Sequence, residues 1–189
     1  MTTQQRRWIL GGGLASGKSL VREMLADAGI ATIDADRIGH QMLAPGGPAF
    51  GEVANTWPGV VVDGEISRSA LARIVFEDPA ELERLESITH PHIFDTIRRR
   101  VEDLDPPVVV EVPVLAHGLT RWSLMVVDSR PETRLARAVE RGMSEQDAAA
   151  RLAAQPSRAE WLADADLVIP NHRSLRELRD SVDAVVELL

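Results

Sequence analysis

What the sequence lacks already excludes several kinds of chemistry. It contains no cysteine, which excludes disulfides, thiolate nucleophiles and zinc sites built on cysteine. Its longest apolar runs, such as Val108–Val112, fall far short of the roughly 20 residues that a membrane-spanning helix needs. Near the start, Arg6 and Arg7 precede only Trp8–Leu10 before glycines begin, and a secretory signal requires a longer apolar region. We therefore expect a cytoplasmic protein without a membrane partner.

Positive charge is also scarce. The 189 residues carry a formal net charge of −8 at pH 7. A nucleic-acid partner needs a basic surface to meet its phosphates, so the sequence indicates no nucleic-acid partner. A small anionic substrate stays possible, because a few local Lys and Arg side chains can bind one.

The apolar residues are arranged as in an α/β protein. Short apolar runs alternate with segments of helical periodicity, which is typical of a parallel sheet covered by helices on both faces. The hydrophobic fraction of 44% is enough for a full core, and the length indicates one domain, residues 1–189. The predicted strands are Trp8–Leu10, Ile30–Ile33, Val108–Val112, Leu124–Val127 and Leu167–Ile169.

Two stretches are too long to be simple connections. Residues from about 37 to 104 contain several helical patterns, which predicts a helical lobe inserted after the second strand. Within it, Pro79–Ile88 reads as a helix, and Pro91 reads as the start of another. Residues from about 142 to 164 are interpreted as a second mobile element, a lid.

The strongest motif lies between the first strand and the first helix. Residues 12–19 read GGLASGKS and match the phosphate-loop pattern G-x-x-x-x-G-K-[ST]. Its glycines allow backbone N–H groups to turn towards a phosphate, and the helix N-terminus adds partial positive charge. Lys18 is predicted to bridge the β- and γ-phosphates of ATP, and the Ser19 hydroxyl to bind Mg²⁺. The predicted nucleotide-binding residues are Gly13, Leu14, Ala15, Ser16, Gly17, Lys18, Ser19 and Leu20.

An acidic pair follows the second strand, at Asp34 and Asp36. The carboxyl ends of strands in an open parallel sheet bind ligands, and phosphoryl transfer needs a group that orients or deprotonates the attacking hydroxyl. Asp36 is the candidate and Asp34 the reserve. The alternative is that Asp36 only caps the next helix.

The pattern as a whole resembles the dephospho-CoA kinase family over nearly the entire chain. Besides the phosphate loop and Asp34–Asp36, the resembling segments are Asp63–Arg68 with Leu71 and Val75–Phe76, Thr89–Pro91, Glu111–Leu115, Arg137 with Arg141, Arg151–Gln155, and Asp166–Ile169 with Asn171.

This resemblance implies ATP-dependent phosphorylation of the ribose 3′-hydroxyl of dephospho-CoA, the last step of coenzyme A synthesis. It implies a P-loop three-layer fold with sheet order 2-3-1-4-5, a helical lobe on the CoA side and a lid. It also implies that Asp36 is the acid on the acceptor side and that Arg141 approaches the transferring phosphates.

Three further residues are candidates for substrate contacts. Arg137 lies one helical turn before Arg141 and shares its face, although a solvated helix face would look the same. Glu111 ends an all-valine strand, either as an acidic residue on the metal side or as an ordinary polar strand end. His90 is a candidate acceptor contact. His92 follows too closely for both rings to bind one metal from a helix.

Some positions depart from the family pattern. Gly11 stands where the family commonly has Thr, Ala15 where Gly is usual and Leu20 where Thr is frequent. His40 and His117 replace the usual Arg and Glu on the acceptor side. The sequence therefore leaves open a related kinase for another small acceptor, such as a nucleoside monophosphate, and a non-catalytic nucleotide-binding relative. A GTPase is disfavoured, because Ile169 is followed by Pro170–Arg173 and not by N-K-x-D.

Overall fold

A computed structural model describes residues 7–113 and 122–189. The strands are β1 (Arg7–Gly11), β2 (Ala31–Asp34), β3 (Val61–Val62), β4 (Glu65–Ile66), β5 (Val108–Glu111), β6 (Ser123–Asp128) and β7 (Leu167–Pro170). The helices are α1 (Lys18–Asp27), α2 (Ala35–Met42), α3 (Phe50–Thr56), α4 (Arg68–Glu77), α5 (Pro79–Glu102), α6 (Pro131–Glu140), α7 (Glu145–Ala153), α8 (Arg158–Ala163) and α9 (Leu175–Leu188).

Five of the strands form one parallel sheet in the order β2-β5-β1-β6-β7. Counted along the chain within this sheet, the order is 2-3-1-4-5, so the predicted α/β P-loop fold is confirmed. All five predicted strands are present, and no strand end differs from its prediction by more than one residue. The register places Glu111 beside both Leu10 and Asp34. The acidic ends of β2 and β5 therefore lie at the edge of the sheet where β1 leads into the phosphate loop.

The sheet and two helices share a core. Val21 and Leu25 of α1 and Leu178 of α9 are fully or almost fully buried and pack in one cluster with the strands. Burying a Val or Leu side chain contributes about 1.5–3 kcal/mol, so this cluster is a main source of stability. It fixes α1 against the sheet and thereby fixes the helix end that receives the phosphate loop.

The chain divides into two compact units. The first comprises Met1–Asp34 and Leu104–Leu189 and contains the parallel sheet. The second is Ala35–Asp103, and it contains α2 to α5 and the small antiparallel hairpin of β3 and β4.

Helix α5 corrects one prediction. It runs through Pro91 for 24 residues, so the expectation that Pro91 starts a new helix was wrong. Proline removes one backbone hydrogen bond and crowds the preceding turn, but Ile88, Ile97 and Val101 are buried along the helix, which packs against α2 and α4. This packing outweighs the local cost. Among the described residues, no helix is both long and apolar enough to cross a membrane.

Candidate active site

The phosphate loop joins β1 to α1 in a curled conformation. Gly17 is the N-cap of α1 and has φ 102°, and a Cβ there would lie 2.2 Å from Nδ2 of Asn171. Only glycine fits this position. The N–H of Ser16 donates to the Gly13 carbonyl over 3.1 Å. Nζ of Lys18 donates to the carbonyls of Gly12 (2.8 Å) and Gly13 (3.3 Å), so the ammonium group is folded back over the loop.

Two side chains from other elements hold the loop at Ser16. Nδ2 of Asn171, directly after β7, donates to the Ser16 carbonyl over 2.7 Å, and its Oδ1 accepts from Nη2 of Arg137 over 3.3 Å. Nη1 of Arg137 also lies 3.4 Å from Oγ of Ser129 and 3.5 Å from the Ser16 carbonyl. The sequence alone predicts no role for Asn171. The signal available was a polar residue at the carboxyl end of the last strand.

On another side of the loop, Ser19 meets a buried carboxylate. Its hydroxyl donates to Oε1 of Glu111 over 2.8 Å, and Nε of Arg22 donates to Oε2 over 2.8 Å. Glu111 is 7% exposed, and Arg22 offsets its charge because a buried carboxylate needs a partner. Nη2 of Arg22 is also 3.9 Å from the Asp34 carboxylate.

The oxygen atoms of Ser19 and Glu111 suit a magnesium ion. Hydroxyl and carboxylate oxygens are hard donors, and Mg²⁺ in nucleotide sites is typically held by one or two protein oxygens together with phosphates. In residues 7–113 and 122–189, no group of three or more His, Cys, Asp or Glu residues could hold a metal ion. Ser19 and Glu111 supply two oxygen donors at this position.

A third group of side chains contacts the loop at Leu14. Oε1 of Gln155 accepts from the Leu14 N–H over 2.6 Å, and Nε of Arg134 donates to the Leu14 carbonyl over 3.0 Å. Burial lowers the pKa of Arg134, and the nearby Asp128 acts in the opposite direction. Arg158 binds both oxygens of Asp128 at 2.7 Å and so holds the pKa of Asp128 below its usual value of 3.8.

The predicted site residues fall into two groups. Lys18, Ser19, Glu111 and Arg137 come together around the phosphate loop, in the unit that contains the sheet. Arg141 is exposed at the end of α6, and the hydrogen bonds from α6 to the loop come from Arg134 and Arg137.

The remaining candidates belong to the unit Ala35–Asp103. Asp36 is exposed in the first turn of α2, so it lies inside the helix and not at its cap. His90 is partly buried on α5, with its ring 5.4 Å from that of Phe94.

Two departures from the family pattern have a structural explanation. A Cβ on Gly11 would lie 2.7 Å from the ring of Trp161, so the indole occupies the space that a larger side chain would need. Ala15 has φ 56°, a conformation that favours glycine, but it packs with Ala138 and Ala148. Leu20 is 39% exposed.

On the acceptor side, His40 is exposed in the last turn of α2. His117 lies outside the described residues, as do Val114 and Leu115 of the segment after β5.

Known proteins match this chain over almost its whole length. The sequence profile of the family described as dephospho-CoA kinase matches residues 8–177. A dephospho-CoA kinase from Streptomyces avermitilis is 42% identical over 185 residues, covering 93% of this chain and 90% of that protein.

Solved structures agree. A crystal structure of a Thermus thermophilus protein superposes with a TM-score of 0.84 at 30% identity and covers 97% of both chains. The dephospho-CoA kinase from Campylobacter jejuni superposes with a TM-score of 0.73 at 25% identity, covering 97% of this chain and 96% of that one. With a family match across 8–177 and a phosphate loop of the required geometry, this chain belongs to the dephospho-CoA kinase family.

Proposed function

We propose that this protein transfers the γ-phosphoryl group of ATP to the ribose 3′-hydroxyl of dephospho-CoA, giving coenzyme A and ADP. The observation that carries the proposal is the curled loop Gly12–Ser19, whose Ser19 hydroxyl meets the buried Glu111 carboxylate at 2.8 Å. This arrangement supplies a phosphate cradle and two oxygen donors for a metal. Membership of the family identifies the acceptor.

In this proposal the loop and its neighbours bind the triphosphate. Backbone N–H groups of the loop and the N-terminus of α1 bind phosphate oxygens, and Lys18 moves from the carbonyls of Gly12 and Gly13 to the β- and γ-phosphates. Ser19 and Glu111 would hold Mg²⁺, which neutralises phosphate charge when bound. Arg22 offsets the charge of Glu111 before that.

The acceptor hydroxyl is assigned to Asp36. A carboxylate within hydrogen-bond reach of the 3′-hydroxyl can orient it and accept its proton as the new P–O bond forms. Asp36 is exposed in the first turn of α2, so its carboxylate is accessible to a ligand. His90 is proposed as a further acceptor contact, and Arg141 as the group that stabilises charge on the transferring phosphoryl.

Two longer segments of the chain also have proposed roles. Residues from about 37 to 104 form the CoA-side lobe of the proposal, and residues from about 142 to 164 its lid. The proposed location is the cytoplasm, with ATP and dephospho-CoA as small-molecule partners.

A coupled ADP-release assay tests the proposal. The purified protein is given ATP and Mg²⁺ with dephospho-CoA, adenosine, AMP or shikimate, and mass spectrometry locates the phosphate on the product. We expect turnover with dephospho-CoA alone and phosphorylation at the 3′-oxygen. Turnover with AMP or shikimate instead would assign the chain to another acceptor, and ATP binding without turnover of any acceptor would indicate a non-catalytic relative.

A further inference from the structure

The short segment 155–161, called here the strap, is attached to the nucleotide site at three points. Gln155 bonds to Leu14 of the phosphate loop. Arg158 forms a two-pronged ion pair with Asp128 at the end of β6. Trp161 is 2% exposed, and its ring fills the space beside Gly11. The strap is therefore part of the packing around the loop.

The peptide groups of Leu14 are held on both sides. Gln155 accepts from the N–H at 2.6 Å and Arg134 donates to the carbonyl at 3.0 Å. Nη2 of Arg134 is 3.4 Å from Oε1 of Gln155, which closes the contacts into a triangle. Arg134 is 5% exposed, and a Cβ on Gly13 would lie 2.2 Å from its guanidinium carbon. Two side chains remote in sequence thus determine the orientation of one loop residue.

The backbone conformation of Ala15 explains why this restraint on the Leu14 peptide matters. Ala15 has φ 56°, in the left-handed region that a residue with a Cβ adopts unfavourably. A loop left to itself would relax away from this conformation. Phosphate binding depends on amides that already point at the ligand, because ordering them on binding would weaken affinity. Holding the Leu14 peptide keeps Ala15 and the amides after it in place.

We propose that Gln155 is a positioning residue for nucleotide binding. Its side-chain carbonyl fixes the Leu14 peptide, so that the phosphate loop has its binding shape before ATP arrives. The inference rests on the ATP site of the proposed function but not on the identity of the acceptor.

The test replaces Gln155 by side chains of similar length. Gln155→Met removes the carbonyl acceptor and Gln155→Glu retains one. For Gln155→Met we expect the ATP Kd, measured by calorimetry without acceptor, to rise about 5-fold, the effect of one lost hydrogen bond. The KM for ATP should rise in parallel, while the KM for dephospho-CoA stays unchanged.

Hydrogen exchange supplies a readout at the atom concerned. In the wild type the Leu14 amide should be protected, in Gln155→Met it should exchange about 10-fold faster or more, and in Gln155→Glu its protection should persist. Glu187→Met is the control, because Glu187 is exposed on α9 and lies outside the proposed lid, and it should match the wild type throughout.

Other results would contradict the role of Gln155, the proposed function, or both. An unchanged ATP Kd and unchanged Leu14 exchange in Gln155→Met would overturn the inference. So would an equal weakening of ATP and dephospho-CoA binding with a lowered Tm, which indicates general destabilisation. If the wild type binds ATP but does not phosphorylate dephospho-CoA, the proposed function fails while the Kd ratio still decides the role of Gln155. A wild type that does not bind ATP overturns both.

Discussion

The phosphate loop and the helical unit hold their candidate site residues in different ways. Around the loop, Glu111, Asn171 and Arg134 are buried and hydrogen-bonded. In the helical unit, Asp36 and His40 are exposed. A phosphate cradle works only if its amides are already oriented, so the loop needs side-chain contacts that hold its backbone in place. If these residues meet the acceptor as proposed, exposure leaves their side chains accessible to it.

Replacement of Lys18 is the strongest test of the phosphate-loop side of this comparison. Lys18→Ala should reduce kcat by at least about 10³-fold, because the charge that meets the transferring phosphates is lost, and should weaken ATP binding. Steady-state kinetics and calorimetry measure the two effects. Lys18 is the only lysine in the chain. Bound ATP should therefore protect its amine against an acylating reagent, which gives an independent check. Undiminished ATP binding by the variant would contradict the assigned role of the loop.

Asp36→Asn is the corresponding test of the acceptor half. We expect kcat to fall by about 10²–10⁴-fold with ATP affinity largely intact, because the group acts on the acceptor hydroxyl during transfer. Asp95→Asn, on the exposed surface of α5 where Asp95 pairs with Arg99, is the control and should behave as the wild type. Unchanged turnover in Asp36→Asn would remove Asp36 from the mechanism.

The two arginines at the end of α6 sharpen the comparison. Arg141→Ala should lower kcat by about 10²-fold with little change in acceptor affinity, as expected for a group that acts on transition-state charge. Arg137→Ala should mainly weaken ATP binding, by about 10-fold, because Arg137 supports Ser16 and Asn171. Arg176→Ala on the exposed face of α9 is the control. A fall in acceptor affinity larger than the fall in kcat would reassign Arg141 to substrate binding.

The packing of Trp161 against Gly11 can be tested through the stability of the protein. Gly11→Thr should lower the free energy of unfolding by about 2 kcal/mol, because the new side chain collides with Trp161. Combined with Trp161→Leu, it should cost less than the sum of the two single changes. Urea unfolding of all three variants measures this coupling, with Gly51→Thr as control, since a Cβ there meets no atom within 4 Å. Additive effects would mean that the two residues do not compete for space.

The smallest expected effect concerns the ion pair of the strap. Arg158 lowers the pKa of Asp128 below 3.8, so the pair stabilises the fold above about pH 4 and loses its contribution as the pH falls through the lowered value. Between pH 6 and pH 3 the wild type should lose about 1 kcal/mol more unfolding free energy than Asp128→Asn, after allowance for solvent screening at the half-exposed Arg158. Asp183→Asn, at an exposed position of α9, should follow the wild type. Parallel pH profiles for Asp128→Asn and wild type would show that the pair contributes nothing.

Much of the phosphate-loop side could be read from the sequence. The motif Gly12–Ser19 is local, and its flanking strand and helix follow from apolar periodicity. The pairing of Ser19 with Glu111 could be anticipated, because Glu111 ends one strand and Ser19 follows the loop after its neighbouring strand β1, at the same edge of the sheet. The roles of Gln155 and Arg134 could not be predicted. Gln155 bonds to the Leu14 N–H, 141 positions away, and Arg134 to the Leu14 carbonyl, 120 positions away. Spacing in sequence carries no such information.

By itself the sequence determined the local chemistry of this protein: a loop of glycines before a lysine and a serine, five short apolar strands, and an acidic turn after the second. These follow from interactions between residues close along the chain. Only the tertiary structure decided that Trp161 takes the space beside Gly11, that α5 continues through Pro91, and that Asn171, Arg134 and Gln155 support the phosphate loop. Close packing and long-range hydrogen bonds join residues that the linear order keeps apart, and they exist only once the sheet has formed.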